Sequence, residues 1–235
     1  MATAGGPDIV EDGLVLALDA ANTKSYPGSG TTWNDLSGNS NNAPSVGSPT
    51  FESNTNSFAF DGTDDRFAAS ISSAFDLYCI EIAFKPHKAI SSNVAPDGSD
   101  YSLLGIRASA GNNNGINVYE WTGGLTNETV SIWSHGGYAT AMTTTVSLAF
   151  HIMAFNWNGS TYDIWLDGEK QSTAGRTSPG HAQLIAGVSS VDPGYNLGFN
   201  YYHSGNIAFV KTYNRSLTDA EVLQNYNATK GRFGL

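Results

Sequence analysis

Apolar and polar positions alternate along most of this chain with a period of two, the repeat of strands with one buried and one wetted face. Between Leu77 and Phe84, the side chains of Tyr78, Ile80, Ile82 and Phe84 share one face, with Cys79, Glu81 and Ala83 on the other. Leu14 to Leu18 is a short apolar run that reads as a buried strand. Tyr101 to Arg107, Ile116 to Trp121, Val130 to Trp133 and Ile207 to Tyr213 read as further strands. The clearest unit runs from Phe150 to Asp167, where two alternating segments meet across Asn158-Gly159-Ser160-Thr161. An Asn-Gly pair supplies the positive φ that a tight turn requires, so this segment predicts a β-hairpin.

The period changes to that of a helix only near the end. Thr218-Asp219-Ala220-Glu221 fits a capping box, in which the Thr hydroxyl and the Glu carboxylate satisfy each other's backbone N–H groups. Leu217 and Val222 occupy the staple positions, Leu223 and Tyr226 continue the apolar stripe, and Gly231 marks a stop. A strand-rich chain with one short C-terminal helix predicts an all-β sandwich. The polar stretches Pro44 to Asn56, Ala89 to Asp100 and Ser172 to His181 read as loops, and Gly111 to Gly115 as a turn. With no internal repeat, the expected organisation is an N-terminal arm (1–12) followed by one domain (13–235).

Composition narrows the partners. The 235 residues are 40% hydrophobic and only 14% charged, with 26 Gly, 11 Phe, 11 Tyr and 5 Trp, which describes a chain with a substantial core. A formal charge of −10 opposes phosphate backbones and anionic lipid, and no Lys/Arg run offsets it, so neither nucleic acid nor membrane is an expected partner. The single cysteine, Cys79, rules out an intrachain disulfide and reads as a small core residue. The first residues have neither a basic nor an apolar signal-peptide region, which predicts a protein made in a cytoplasm. The sequons at Asn127, Asn158, Asn214 and Asn227 then read as chance in a Ser/Thr/Asn-rich chain.

Enzyme templates find little support. There is no Gly-x-Ser-x-Gly elbow and no phosphate-binding Gly-x4-Gly-Lys loop, and the five histidines fall singly, without metal-ligand spacing. A sandwich glycosidase needs two carboxylates facing each other over a groove. The nearest pair, Asp163 and Asp167, sits on one strand face about 13 Å apart at ~3.3 Å per residue, too far for a retaining pair. No catalytic residue is assigned.

Two binding chemistries remain. Asp19, Asp35, Asn39, Asp64 and Asp65, with Asp61 beside them, gather the oxygen donors a calcium ion takes. The same Asp-x-Ser-Gly-Asn pattern is also what a tight turn uses, since Asx side chains bond their own backbone. Exposed aromatics stack on sugar rings or on partner subunits, and Trp121, Trp133, Tyr195, Tyr201 and Tyr202 are the candidates. Trp33, Trp157 and Trp165 sit where core packing is expected.

Three segments taken together resemble a known family. Gly13 to Ala20, Trp33-Asn34-Asp35-Leu36-Ser37-Gly38-Asn39 and Phe58-Ala59-Phe60-Asp61-Gly62-Thr63-Asp64-Asp65 are similar to the concanavalin-A-like, laminin-G-like jelly-roll family. The hairpin at 150–168 and the closing strand and helix at 205–218 match the same family in order. The chain departs from it at Ala208-Phe209, where many members carry Asp-Glu. The resemblance implies a jelly-roll β-sandwich with one short C-terminal helix. Asn22 to Trp33 and Asn225 to Leu235 further resemble standalone laminin-G-like proteins of tailed bacteriophages, from marine and cyanobacterial hosts above all. That likeness implies a non-enzymatic virion structural protein decorating the capsid or tail. It would act through contacts with other virion proteins, assemble as a homo-oligomer and locate to the virion. A lectin-like module recognising host-surface glycans is the alternative.

Overall fold

A computed structural model describes residues 8–86, 101–108, 113–119, 129–134, 137–142, 146–171, 185–196 and 201–235. The chain opens with β1 (Leu14–Asp19), β2 (Thr32–Trp33), β3 (Ala43–Val46), β4 (Thr50–Glu52), β5 (Ser57–Asp61) and β6 (Arg66–Phe67). The long strands β7 (Ala69–Leu77), β8 (Cys79–Pro86) and β9 (Tyr101–Ala108) follow, then β10 (Asn113–Tyr119), β11 (Thr129–Ser134) and β12 (Gly137–Met142). The predicted hairpin is β13 (His151–Trp157) and β14 (Tyr162–Leu166), continued by β15 (Glu169–Lys170). The chain closes with β16 (Ile185–Pro193), β17 (Tyr195–Asn196), β18 (Tyr201–Tyr202), β19 (Ser204–Tyr213) and the helix α1 (Asp219–Thr229).

Two antiparallel sheets carry the fold. One runs β15-β14-β13-β8-β19-β5-β4, with β1 also paired to β19, and the other runs β12-β11-β10-β9-β16-β7. They pack face to face as a jelly-roll sandwich, and one continuous core joins Ile80, Ile82 and Phe84 of the first sheet to Leu104, Ile106, Val188 and Val191 of the second. The long strand β19 is the spine. Its N-terminal half pairs with β5, its C-terminal half with β1, and β8 lines its other edge along the whole length.

The first sheet is covered twice. Its inner face meets the second sheet, while its outer face carries Cys79, Ala154, Trp165 and Tyr213, packed beneath Val222 of α1, Leu217 and Val10. A strand buried on both faces has no wet side to alternate with. This explains why Cys79 through Phe84 are all buried, where the sequence pattern predicts two unlike faces. It also draws residues 8–12 onto the sheet: Val10 is buried, and its N–H donates to Asn225 Oδ1 at 2.7 Å.

The helix starts as predicted. Glu221 N–H donates to Thr218 Oγ1 at 3.2 Å and Thr218 N–H to Glu221 Oε2 at 2.8 Å. A hydrogen bond from Arg215 holds the Glu221 carboxyl down to about 2, so the box keeps its charge well into acid. In the hairpin, Gly159 takes the expected positive φ of 102°. The 44–56 stretch departs from the loop reading, since it contains most of β3 and all of β4. Both strands are short and lack the apolar alternation that marks longer ones. The segment read as a turn at 111–115 overlaps β10, which starts at Asn113. Trp33 and Trp165 are buried as expected, whereas Trp157 is half-buried against the core edge.

Candidate binding site

The Trp33 to Asn39 cassette is tied to β1 by its own polar groups. Trp33 is fully buried, 4.8 Å from the Phe58 ring and 5.2 Å from Phe67. Asp35 then turns its carboxylate inward. Oδ1 accepts the N–H groups of Ala17 and Ser37, each at 2.9 Å, and Oδ2 accepts the Asn41 N–H at 3.0 Å and the Ser37 hydroxyl at 2.7 Å. Asn39 donates its side-chain amide to the Leu14 and Val15 carbonyls. Asp19, at the far end of β1, accepts from Arg232 at 2.8 and 2.9 Å and from the Ala21 N–H at 2.9 Å. Asp35 and Asn39 thus share one network through the Ser37 hydroxyl, and Asp19 serves another structure with Arg232.

Asp64 and Asp65 come together instead with Asp61, one oxygen of each lying within 4.8 Å of the others. The donor set is oxygen only, as calcium requires. Backbone N–H groups already occupy much of it. Asp65 accepts from Ser48 at 2.6 Å and Asp61 at 3.1 Å, and Asp61 Oδ1 accepts from Thr63 at 2.7 Å. Burial, reinforced by the neighbouring Asp61 and Asp64 charges, raises the Asp65 carboxyl above its usual range, while the two backbone bonds draw it down. The chain's own N–H groups thus hold the Asp61 and Asp65 carboxylates in this turn.

Next along the chain, Arg66 reaches Asp192 of β16 at 3.3 Å. Asp192 is 3% exposed, and its second oxygen has no hydrogen-bond partner among the described residues. Burial pushes its carboxyl up to about 6 despite the pull of Arg66. Unfolded, the group titrates near 4, so between about pH 4 and pH 6 the native state binds more protons. Stability then falls as pH rises through that window, by on the order of 3 kcal/mol. Asp192→Asn is expected to remove this slope, measured as the difference from wild type in urea unfolding free energy at each pH.

Of the aromatic candidates, Trp121 lies outside the described residues. Trp133 stands on β11, in register with Tyr138 of β12 and Gly115 of β10. Tyr195 and Tyr202 are directly opposite each other in the β17–β18 ribbon, where Tyr201 faces Asn196. That ribbon lies against β9 and β10, so the backbone brings these positions to the sheet that also carries Trp133. Tyr202 is half-buried.

The two carboxylates weighed as a catalytic pair are separately engaged. Asp163 meets Lys170 Nζ at 2.6 Å and accepts from Asn158 at 2.8 Å. Asp167 holds His151 Nδ1 at 2.7 Å through one oxygen and the Ile152 N–H at 2.8 Å through the other, while His151 Nε2 meets Ser147 Oγ at 3.0 Å. This series stitches the segment before β13 to the turn after β14. Ser147 Oγ also accepts the Ala149 N–H at 3.3 Å, as in a turn of the Ser/Thr type.

The polar feature that sequence reasoning missed lies under α1. Lys211 and Glu81 are 4% and 2% exposed, and Lys211 Nζ sits 3.2 Å from Glu81 Oε2 and 4.2 Å from the centre of the Phe209 ring. Asn225 of α1 donates to Glu81 Oε1 at 2.9 Å and to the Tyr213 hydroxyl at 3.0 Å. Burial drives the Tyr213 hydroxyl far above its usual range, and it stays a donor, to the Val10 carbonyl at 3.1 Å. A signal was present: one lysine and one glutamate, each alone in an apolar strand run, presuppose a partner. Beside this network, between β1, the 36–38 turn and α1, opens a cavity of about 400 Å³ that Lys211 borders.

No family model matches the chain, and no curated protein matches it by sequence. Solved structures do. The chain is similar to domain 4 of AbnA, an extracellular arabinanase of Geobacillus stearothermophilus, in complex with arabinotriose, at 14% identity and a TM-score of 0.61 over 91% of this chain and 98% of that one. It is similar to a Trypanosoma rangeli sialidase in complex with sialic acid, at 15% identity and a TM-score of 0.64 over 94% of this chain. It spans only 33% of that sialidase. Botulinum neurotoxin type C, whose cell entry depends on two ganglioside molecules, matches at 9% identity and a TM-score of 0.64, over 93% of this chain and 52% of the toxin chain. At these identities the likeness establishes the β-sandwich fold.

Proposed function

We propose that this chain is a lectin-like module that binds glycans and acts without catalysis. One observation carries the reading: the sandwich corresponds almost end to end to domain 4 of the arabinanase, which was solved with arabinotriose bound. The engagement of Asp163 and Asp167 in separate structural contacts supports the non-catalytic part. The charge of −10 favours neutral ligands over phosphorylated or sulfated ones.

A glycan array followed by calorimetry on the hits tests it. Saturable binding of at least one oligosaccharide class, without release of products, is expected. A blank array across neutral and acidic glycans would remove the reading. Detection in purified phage particles by mass spectrometry would add the virion role that residues 22–33 and 225–235 resemble. Its absence from particles removes that role and leaves glycan binding standing.

A further inference from the structure

The cavity beside α1 has walls of two kinds. Ile9, Leu14 and Leu36 contribute to the apolar part, and Glu11, Asp19, Asn22 and Lys211 to the polar part. At about 400 Å³ it falls within the roughly 300–1,000 Å³ of small-molecule pockets, which are mostly apolar with a few fixed polar groups. We propose that it receives one neutral sugar residue of a glycan, an inference that rests on the lectin-like reading and assigns that reading its place.

Lys211 supplies the first argument. Its ammonium has three N–H donors, yet among the described residues it makes one hydrogen bond, to Glu81, and turns toward the Phe209 ring. Its side chain is 5% exposed, and a buried charged donor left without an acceptor is costly. An oxygen acceptor in the cavity relieves that cost. Asn22 adds a second donor, since its Oδ1 accepts the Lys24 N–H while its Nδ2 makes no bond among the described residues. Asp19 offers acceptors, its oxygens oriented by Arg232 and by the Ala21 N–H. A lining that combines donors and acceptors with leucines suits a pyranose or furanose, which presents both hydroxyls and C–H faces.

Charge selects a neutral ligand. The positive charge of Lys211 is matched by Glu81 and the negative charge of Asp19 by Arg232. Glu11, on the cavity wall, is left as the surplus. A carboxylated or phosphorylated sugar would meet a negative wall.

The test measures binding of arabinotriose, L-arabinose, D-galactose and D-glucose, with sialic acid and glucose 6-phosphate as charged controls. Wild type is compared with Asn22→Trp, which adds bulk to the lining from an exposed position, and Asn22→Ala, which deletes one donor. Circular dichroism checks that both variants are folded. Binding of a neutral sugar that Asn22→Trp weakens more than tenfold and Asn22→Ala by about threefold supports the pocket. Neutral-sugar binding unchanged in Asn22→Trp overturns the pocket and leaves the lectin reading intact. Preference for the charged controls overturns the charge argument and the pocket with it. If no sugar here or on the array binds, both the pocket and the lectin reading fall.

Discussion

Asp35→Ala is expected to lower the unfolding free energy by about 3 kcal/mol, seen as a lower urea midpoint with an unchanged denaturant slope. The carboxylate has no charged partner among its contacts, so the loss comes from hydrogen bonds alone. It accepts three backbone N–H groups, from Ala17, Ser37 and Asn41, and competes with the Val15 carbonyl for the one proton of the Ser37 hydroxyl. Alanine leaves the three N–H groups without an acceptor in a half-buried turn, and each charge-assisted bond is worth more than a neutral one. Asp35→Asn separates acceptor chemistry from shape. The amide oxygen can still serve Ala17 and Ser37, but its NH₂ then faces the Asn41 N–H, donor against donor. About half of the alanine loss is expected, because the Ser37 hydroxyl can turn to Val15. An asparagine variant as stable as wild type would show that the carboxylate's charge does nothing here.

This cassette shows what local sequence can carry. The choice between a cation site and an Asx-type turn was open from composition, because both use the same oxygens. Asp35 and Asn39 find their hydrogen bonds because β1, 18 and 24 residues earlier, presents the Ala17 N–H and the Val15 carbonyl to them. Segments whose structure is set locally were legible: the Thr218–Glu221 box and the Asn-Gly hairpin. Elements set by distant partners were not. The short strand β3 takes hydrogen bonds from β6, some 20 residues further on. Likewise the alternation in β8 promises a wet face, and α1 with the N-terminal segment covers it. Lys211 and Glu81 lie 130 residues apart, and nothing in either neighbourhood names the other.

Lys211→Met is expected to cost about 3–5 kcal/mol, the usual consequence of leaving one member of a buried ion pair alone. Among the described residues the Glu81 carboxylate would keep only the Asn225 amide as a donor, at 2% exposure beneath α1. Changing both members should behave differently. Glu81→Leu with Lys211→Met removes the stranded charge, and Asn225 can still donate to Tyr213 and accept from Val10. The double variant is therefore expected to recover most of the loss, with a coupling of about 3 kcal/mol in a double-mutant cycle read by urea unfolding. Single and double variants that are equally destabilised would mean the lysine stem, rather than its charge, is what the site requires. The folded double variant also separates stability from recognition. It retains the cavity's leucines, Asn22 and Asp19 but lacks the ammonium donor, so neutral sugars should bind it more weakly than wild type although the sandwich around them is intact.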